Sequence, residues 1–454
     1  VRTRSIDGRP EDLARWAARE SPFPVALLDG NDGSPAGRFS FLGLDPVETR
    51  TASEDDPFAL FDALEPPRGW AEAAVELRPG LHASELPRWI GAIAYDLAWS
   101  AAGALGLRRG PRLARRSEPT AFFHRFDALV VADRADDALF LVGEDDDAIA
   151  RLAARLDALR AGPEARARIG HVEAEPPEVH ARAIEAALEA IADGDVYQIN
   201  LARRWRARLE GSPHAGRALS NAMRAASPVP FGAYLEGPRG DHRELGLVAR
   251  TMERFLRWDR ASGLLETRPI KGTIAREHAD QDAARRAALL ADPKERAEHA
   301  MIVDLMRNDL GRVAALGTVE VARAFEVEPY ARLSHLVSTV RARSRESATL
   351  REVLEATFPP GSVTGTPKLR ATELIEALER SPRGYYCGAV GHVDRAGGLS
   401  LAVAIRTAQV RGDEVEYHAG GGIVDASVVA REVDETDLKA RVFLDAVRAL
   451  EGRS

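Results

Sequence analysis

Glu253-Arg254-Phe255-Leu256-Arg257-Trp258, the turn-rich Asp259-Arg260-Ala261-Ser262-Gly263 and Leu264-Leu265-Glu266-Thr267-Arg268-Pro269-Ile270-Lys271-Gly272-Thr273 form one continuous stretch. Two apolar-rich runs around a short glycine-bearing loop read as a β-hairpin. With the turn centred near Ala261, Glu253 falls opposite about Pro269, and Lys271 lies one diagonal step beyond. Side chains repeat every second residue, so these odd-numbered positions share a face, with diagonal neighbours about 7–8 Å apart. A carboxylate and an amine then look into one volume from neighbouring strands, with room for a small substrate between them. Most lysines are solvated, so a surface lysine at a strand end is the plain alternative. The apolar run before Lys271 and the Gly-Thr turn after it favour burial instead, and a buried ammonium is costly without a partner or a chemical task.

The 454 residues exceed what one simple core usually holds, so two lobes or one large composite domain are expected. Hydrophobic content of 45% with 29% charged residues is that of a globular chain and argues against disorder. A net charge of −8 argues against a nucleic-acid surface. The single cysteine, Cys387, excludes an intrachain disulfide and a cysteine metal cage, as suits a reducing cytoplasm. No apolar run reaches membrane-spanning length, and the arginine-flanked N-terminus lacks an apolar signal core. A soluble, cytoplasmic protein is the expectation.

Outward from the hairpin, the pattern is mixed α and β. Residues 13–20 read as a short helix, and 24–28, 37–46, 90–98, 121–132 and 138–142 as strands. Ile149, Leu152, Leu156 and Leu159 follow helical spacing. The Pro/Glu-rich patch 173–177 is the best boundary, dividing an N-terminal lobe, 1–172, from a catalytic segment, 178–454. Beyond it come a helix over 180–192, a turn and strand in Gly194-Asp195-Val196-Tyr197-Gln198-Ile199-Asn200-Leu201, and strands at 228–235 and 245–249. Two helices meet at Asp292-Pro293, with aspartate as N-cap and proline first in the helix. Residues 385–393, 399–410 and 414–419 alternate as an antiparallel meander, and a last helix covers 429–450.

Several residues can carry chemistry. Glu295 and Glu298 are three apart on one helix face, as are Glu432 and Glu435, with Lys439 four residues on. Each pair alone reads as a solvated acidic face at a helix start, where the dipole favours carboxylates. Two pairs beside buried segments also suit a hard cation such as magnesium, which takes a few carboxylates plus water and an anionic substrate. Gly361-Ser362-Val363-Thr364-Gly365-Thr366-Pro367-Lys368 is a glycine loop entering a helix, with Thr366 as N-cap; it is either a structural turn or an anion clamp, and its spacing is not that of a P-loop. Arg406 interrupts the apolar strand Ala402-Val403-Ala404-Ile405-Arg406-Thr407 and, if buried, needs an anion. Gly420-Gly421-Gly422 suits either carboxylate binding by bare backbone or a tight turn. His335, in an apolar strand, reads first as a satisfied core residue.

With these motifs in their order, GRFSFLGLDP, GDVYQINL, ERF, ETRPIKGT, DPKERAEHAMIVDLMRNDLGRV, FPPGSVTGTPKLRA, AIRT and REVDET-x-x-K, the chain resembles the chorismate-utilising enzymes along nearly its whole length. Within them it is most similar to the aminodeoxychorismate synthase branch. The resemblance implies an α+β fold of four layers, α/β/β/α, with two orthogonally packed antiparallel sheets. It implies conversion of chorismate and ammonia to 4-amino-4-deoxychorismate, with magnesium on the ring carboxylate. By the same resemblance Glu298 and Glu432 are metal ligands with Glu295 and Glu435 beside them, and Arg406 with the backbone of Gly421 and Gly422 holds substrate carboxylate. Thr364, Gly365, His335 and Tyr386 line the ring pocket, Glu253 is the general acid/base, and Lys439 lies near the metal helix.

Lys271 discriminates. Anthranilate synthases read PIAGT there, whereas this chain's PIKGT carries the lysine thought to attack ring carbon 2 as carbon 4 loses its hydroxyl. The amine must be neutral to attack, and a nearby acid must protonate the poor leaving group. The chain ends soon after its last helix, so ammonia is expected from a separate glutamine amidotransferase subunit, and a separate lyase would carry the product to 4-aminobenzoate for folate. Anthranilate synthase is the alternative; isochorismate or salicylate synthase and a non-catalytic scaffold rank lower. Departures from the family pattern are Leu27-Leu28-Asp29-Gly30 for LLES, which removes a serine typical of the tryptophan pocket, Thr251-Met252-Glu253 for SPE, Thr366 for alanine and His392 for tyrosine.

Overall fold

The computed structural model describes residues 1–66, 75–107, 118–240, 243–275, 279–329 and 333–451. Its described strands build two large sheets in which every pairing between neighbours is antiparallel. The 13-stranded sheet runs from Arg2–Ile6 through Ala138–Gly143, Ala128–Asp133, Phe39–Leu44, Val25–Asp29, Phe231–Gly240, Arg243–Thr251, Thr407–Arg411 and Glu414–Ile423 to Gln198–Gly211 and Ala167–Ile169. The 10-stranded sheet runs from Ile270–Ala275 through Leu333–Arg343, Leu264–Arg268, Arg254–Asp259, Leu399–Val403, Ala389–Asp394 and Pro87–Ile93 to Ala121–Arg125 and Glu48–Thr51. Both sheets take strands from either side of residue 175, and the patch read as a boundary contributes Glu173–Ala174, paired to Arg206 and Trp205.

Apolar residues on both faces of each sheet dictate the layering. Ala26, Phe41 and Leu235 of one sheet meet Ile90, Phe122 and Ala402 of the other in a shared inner core. On the outer face of the larger sheet, Ile149, Leu156, Leu219 and Phe443 of three helices cover Leu42, Val130 and Tyr417. Across the outer face of the smaller one, Ile302, Leu305, Val353 and Leu354 cover Phe255, Leu265 and Val340. Helix, sheet, sheet, helix is therefore the order, as expected. Among the described residues no helix is long and apolar enough to cross a membrane.

Three local expectations are corrected. Residues 121–132 form two strands in different sheets, Ala121–Arg125 and Ala128–Asp133, the chain crossing over at Phe126 and Asp127. Residues 399–410 divide in the same way into Leu399–Val403 and Thr407–Arg411. Arg406 is thus at a crossover between the sheets, with φ +49°, and is not a strand residue. The helix after the glycine loop starts at Lys368 with Pro367 as N-cap; Thr366 instead bridges to Gln198 of the neighbouring strand.

Candidate active site

The hairpin forms as expected at its open end, where Arg254 pairs with Arg268, and a bulge before Arg257 shifts the register toward the turn. Glu253 sits one residue before that strand, where the chain leaves the larger sheet at Thr251 and enters the smaller one at Arg254. Its main chain is pinned, the N–H donating to Thr251 Oγ1 at 3.2 Å and the C=O accepting from Val403 N at 3.0 Å. The residue is only 5% exposed. Burial pushes it up to about 7, against the lowering effects of the Ser362 hydroxyl, Lys271, the Ile270 N–H and Lys439. A carboxyl poised there serves as proton donor and acceptor near neutral pH.

Lys271 follows Pro269 into Ile270–Ala275, which pairs with Leu333–Arg343 and bulges between Lys271 and Thr273. Gly272 makes the bulge with φ +77°, a conformation that favours glycine, and a Cβ there would meet Glu295 Oε2 at 2.8 Å. The Lys271 side chain is 21% exposed, and its Nζ lies 3.2 Å from Glu298 Oε2. Across the site, a Cβ added to Gly422 would fall 2.8 Å from that same Nζ. The amine of the smaller sheet therefore reaches the backbone of the larger one.

Four carboxylates approach this point in two pairs. Glu295 and Glu298 open the helix Pro293–Gly311, whose cap is the expected one, Glu295 N donating to Asp292 Oδ1 at 3.1 Å. Further along that helix His299 Nε2 meets Ser338 Oγ at 2.7 Å. Burial, with Lys271 nearby, lowers this imidazole to about 4, so it is neutral and ties the helix to the sheet. Glu432 and Glu435 open the helix Val429–Glu451. Ser427 donates to Glu432 Oε1 at 2.7 Å, while Lys439 pairs with Glu435 at 2.6 Å and donates to Gly420 O at 2.7 Å. A Cβ on Gly421 would lie 3.3 Å and 3.4 Å from Glu432 Oε2 and Glu435 Oε1, so bare backbone lets this pair approach. Oxygen-only donors suit a hard cation that keeps water and a substrate anion in its shell. Among the described residues no group of three or more such side chains is close enough to hold a metal ion.

Arg406 has no carboxylate partner among the described residues, and burial lowers its guanidinium from the usual arginine range. It stands near His335, which burial, Arg406 and Lys439 hold at about 4 while the ring meets the Gly272 backbone. Gly420, Gly421 and Gly422 are strand residues, paired to Ala202, Leu201 and Asn200. Pairing to Thr407–Arg411 on their other side stops at Tyr417, so this strand end is open toward the site. Tyr386 is buried and stacks on His418 with ring centroids 5.3 Å apart. The Thr364 hydroxyl donates to main-chain carbonyls of Gly361 at 3.0 Å and Pro360 at 3.2 Å, which leaves its lone pairs for a ligand. Gly365 has φ +153° and a Cβ there would strike Gln198 O at 2.2 Å, so the close bridge to that strand needs glycine.

The site also holds residues the sequence reading passed over. Gln198 is 1% exposed, and its Nε2 comes as close to a Gly422 Cβ as Lys271 Nζ does, 2.8 Å. Ser362 touches the Glu253 carboxyl. The available signal was the polar–apolar alternation of Gln198, Ile199, Asn200 and Leu201 in a strand otherwise buried on both faces. A cavity of about 640 Å³ between the sheets is lined by Leu28, Gly30, Phe41, Phe231, Arg254 and His392. Gly30 stands where a serine was expected; a Cβ there would meet Gly37 Cα at 2.2 Å, so no side chain fits. His392 is neutral, burial with Arg257 and Arg254 lowering it to about 4.

Comparison with known proteins identifies the family and the fold. A family model described as chorismate binding enzyme matches residues 25–445. Anthranilate synthase component 1 of Aquifex aeolicus (strain VF5) is 40% identical over 269 residues, 59% of this chain and 52% of that protein. Aminodeoxychorismate synthase component 1 of Klebsiella aerogenes is 42% identical over 257 residues, 56% of this chain and 54% of that protein. These matches span about half the length of each relative. The solved anthranilate synthase component I of Streptococcus pneumoniae TIGR4 superposes with a TM-score of 0.75 at 26% identity, over 90% of this chain and 93% of that one. The chain belongs to the chorismate-binding enzyme family, in the group its relatives divide between anthranilate and aminodeoxychorismate synthases.

Proposed function

We propose that this chain is the chorismate-converting component of an aminodeoxychorismate synthase, adding ammonia to chorismate through a transient bond to Lys271. The observation that carries this reading is the position of the Lys271 amine, largely shielded and set between Glu298 and the Gly422 backbone, in electrostatic contact with Glu253. An alanine there could not do this chemistry.

In the first step the Lys271 lone pair bonds to ring carbon 2. The two ring double bonds shift toward carbon 4, and the carbon 4–oxygen bond breaks as Glu253 gives the leaving hydroxyl its proton, releasing water. In the second, the ammonia lone pair bonds to carbon 4, the double bonds return, and the bond to Lys271 breaks with its electrons going back to the lysine nitrogen. The Glu253 carboxylate then takes the extra proton from the new amine. Arg406 and the open backbone at Gly421 and Gly422 would orient substrate carboxylate, while Thr364, Gly365, His335 and Tyr386 would bound the ring and Lys439 would hold the helix bearing Glu435 against the strand. Magnesium, held by Glu298 and Glu432 with Glu295 and Glu435 beside them, would neutralise the ring carboxylate and ease the movement of electrons toward it.

Ammonia would come from a separate glutamine amidotransferase subunit, in the cytoplasm, and the product would serve 4-aminobenzoate and folate synthesis. Chromatographic identification of the product from chorismate, magnesium and ammonium salt tests the reading: 4-amino-4-deoxychorismate is expected, and direct release of anthranilate would overturn it. The alternative, an anthranilate synthase component, is favoured by relatives of that name at 40% identity.

A further inference from the structure

One stripe of the helix Pro293–Gly311 reaches both walls of the site. Leu305 and Asp309 follow Glu298 by whole numbers of turns, so all three lie on one face, within about 20° of the Glu298 direction. Glu298 meets the Lys271 amine at 3.2 Å. Leu305 receives the start of the glycine loop, since a Cβ on Gly361 would fall 2.7 Å from its Cδ2. Asp309 Oδ2 receives Lys368 Nζ at 2.5 Å, from the first residue of the helix Lys368–Leu378. The same ammonium donates to Thr357 O at 2.9 Å, at the end of the helix Leu350–Thr357. Lys368 thus closes the two ends of segment 358–367, which carries Thr364 and Gly365, and ties the closed loop to the helix of Glu298. Asp309 is 4% exposed and the Lys368 side chain 11%. Burial pushes the Asp309 carboxyl up to about 6 and the Lys368 amine down, each shift opposed by the partner's charge. A buried ion pair is often no more stabilising than apolar residues of its size, so stability alone gives no reason for this one. The middle of the loop is held elsewhere, Val363 O accepting from Arg383 Nη1 at 2.8 Å and Thr364 O from Asn200 N at 2.7 Å. What the pair adds is a fixed distance between the loop and the helix of Glu298.

We infer that Lys368 is a positioning residue: paired with Asp309, it sets the separation between Thr364 and Gly365 on one wall of the site and Lys271 with Glu298 on the other. This rests on the ring-pocket role proposed above for Thr364 and Gly365. The ammonium is engaged by Asp309 and Thr357, so Lys368 acts through the loop and takes no part in making or breaking bonds. Without it the loop keeps its ties to Arg383 and Asn200 but loses its register on the helix of Glu298. A displacement of about 1 Å between reacting groups costs roughly 10²-fold in rate. Methionine fills much the same space as lysine but cannot close the loop, which makes Lys368→Met the informative change.

The test is steady-state kinetics of the full chain and its Lys368→Met variant, with chorismate varied at saturating ammonium and magnesium, beside urea unfolding of the same samples. The expected result is a rise of about tenfold in the KM for chorismate and a fall of about 10²-fold in kcat/KM. A pair that only stabilised the fold would behave differently: partial unfolding removes active protein, which lowers the apparent kcat and leaves KM where it was. Lys368→Met also leaves Asp309 buried without its cation. The double variant Asp309→Leu/Lys368→Met removes that charge, so it is expected to recover the unfolding midpoint while keeping the raised KM; it also stands in should Lys368→Met not fold. An unchanged KM, or a double variant whose KM returns to within about twofold of the parent, would overturn the inference. The two proposals fail separately. Anthranilate as the parent's product sinks the proposed reaction, while the KM for chorismate still tests Lys368, because both readings place the same ring against the loop.

Discussion

Two buried carboxylates, Asp29 and Glu253, are held by their surroundings in opposite ways. Asp29 is 1% exposed and receives Arg134 Nη2 and Arg224 Nε, each at 2.6 Å, with Ser40 Oγ at 3.3 Å. Burial pushes its carboxyl up, but Arg224, Arg250 and Arg134 together outweigh burial and hold it below the usual range. Around Glu253 the balance reverses, and burial wins by enough to bring the carboxyl to about 7. One site has its charge saturated by three cations; the other is left short of donors and can move a proton. The same shortage recurs nearby in Gln198, Asn200 and Arg406, none of which has its polar needs met by the described protein groups. Polar residues are buried in both places, and only in one do they await something.

Replacing each carboxylate should break this contrast in opposite ways. Glu253→Gln cannot give the hydroxyl its proton, and a fall in kcat of about 10²–10⁴-fold is expected in the ammonium-dependent assay. In the parent, activity that needs protonated Glu253 declines as pH rises through about 7; that limb should vanish from the residual rate of Glu253→Gln. Asp29→Asn leaves three arginines facing a neutral group, and urea unfolding should show a loss of about 3–5 kcal/mol with kcat little changed where the protein stays folded.

The pH dependence of stability separates the two as well. The folded value for Glu253 is raised above its unfolded 4.5, so its contribution is complete below 4.5 and is lost as pH rises through about 7. Removing the group in Glu253→Gln should abolish up to about 3 kcal/mol of that decline, read by thermal melts at pH 5 and pH 8. Asp29 is depressed, so its contribution is present above its unfolded value near 3.8 and is lost as pH falls through the lower folded value; Asp29→Asn should flatten the acid end instead. A smaller effect is expected at the carboxylate pairs. Glu298→Gln or Glu432→Gln should raise the magnesium needed for half-maximal rate by about tenfold, since one oxygen ligand is worth of order 1.4 kcal/mol. An unchanged magnesium titration would remove these residues from the metal role.

Much of the framework was legible in local pattern. The hairpin from Glu253 to Lys271, the Asp292 cap, the final helix and the alternating strands are all set by neighbours in the chain. Crossovers between the sheets were not. Residues 121–132 and 399–410 each read as one apolar run because both halves are buried, and no local feature marks the change of sheet. At Arg406 the left-handed backbone is imposed by that crossover, since arginine carries no preference for it. The bulge at Arg254–Arg257 is likewise invisible, being a matter of partner strands. Glu298, Glu432 and Lys271 approach one another from elements far apart in sequence, so only the resemblance joined them beforehand. Gln198 and Asn200 were passed over because a polar residue alternating with apolar ones ordinarily faces water.

The most direct test of the account is intact-protein mass spectrometry after exposure to chorismate and magnesium with ammonia withheld. A species heavier by chorismate less one water, mapped to Lys271, chased away by ammonium with release of 4-amino-4-deoxychorismate and missing from Lys271→Ala, is the expected result. Full activity of Lys271→Ala, or an adduct on another residue, would contradict it.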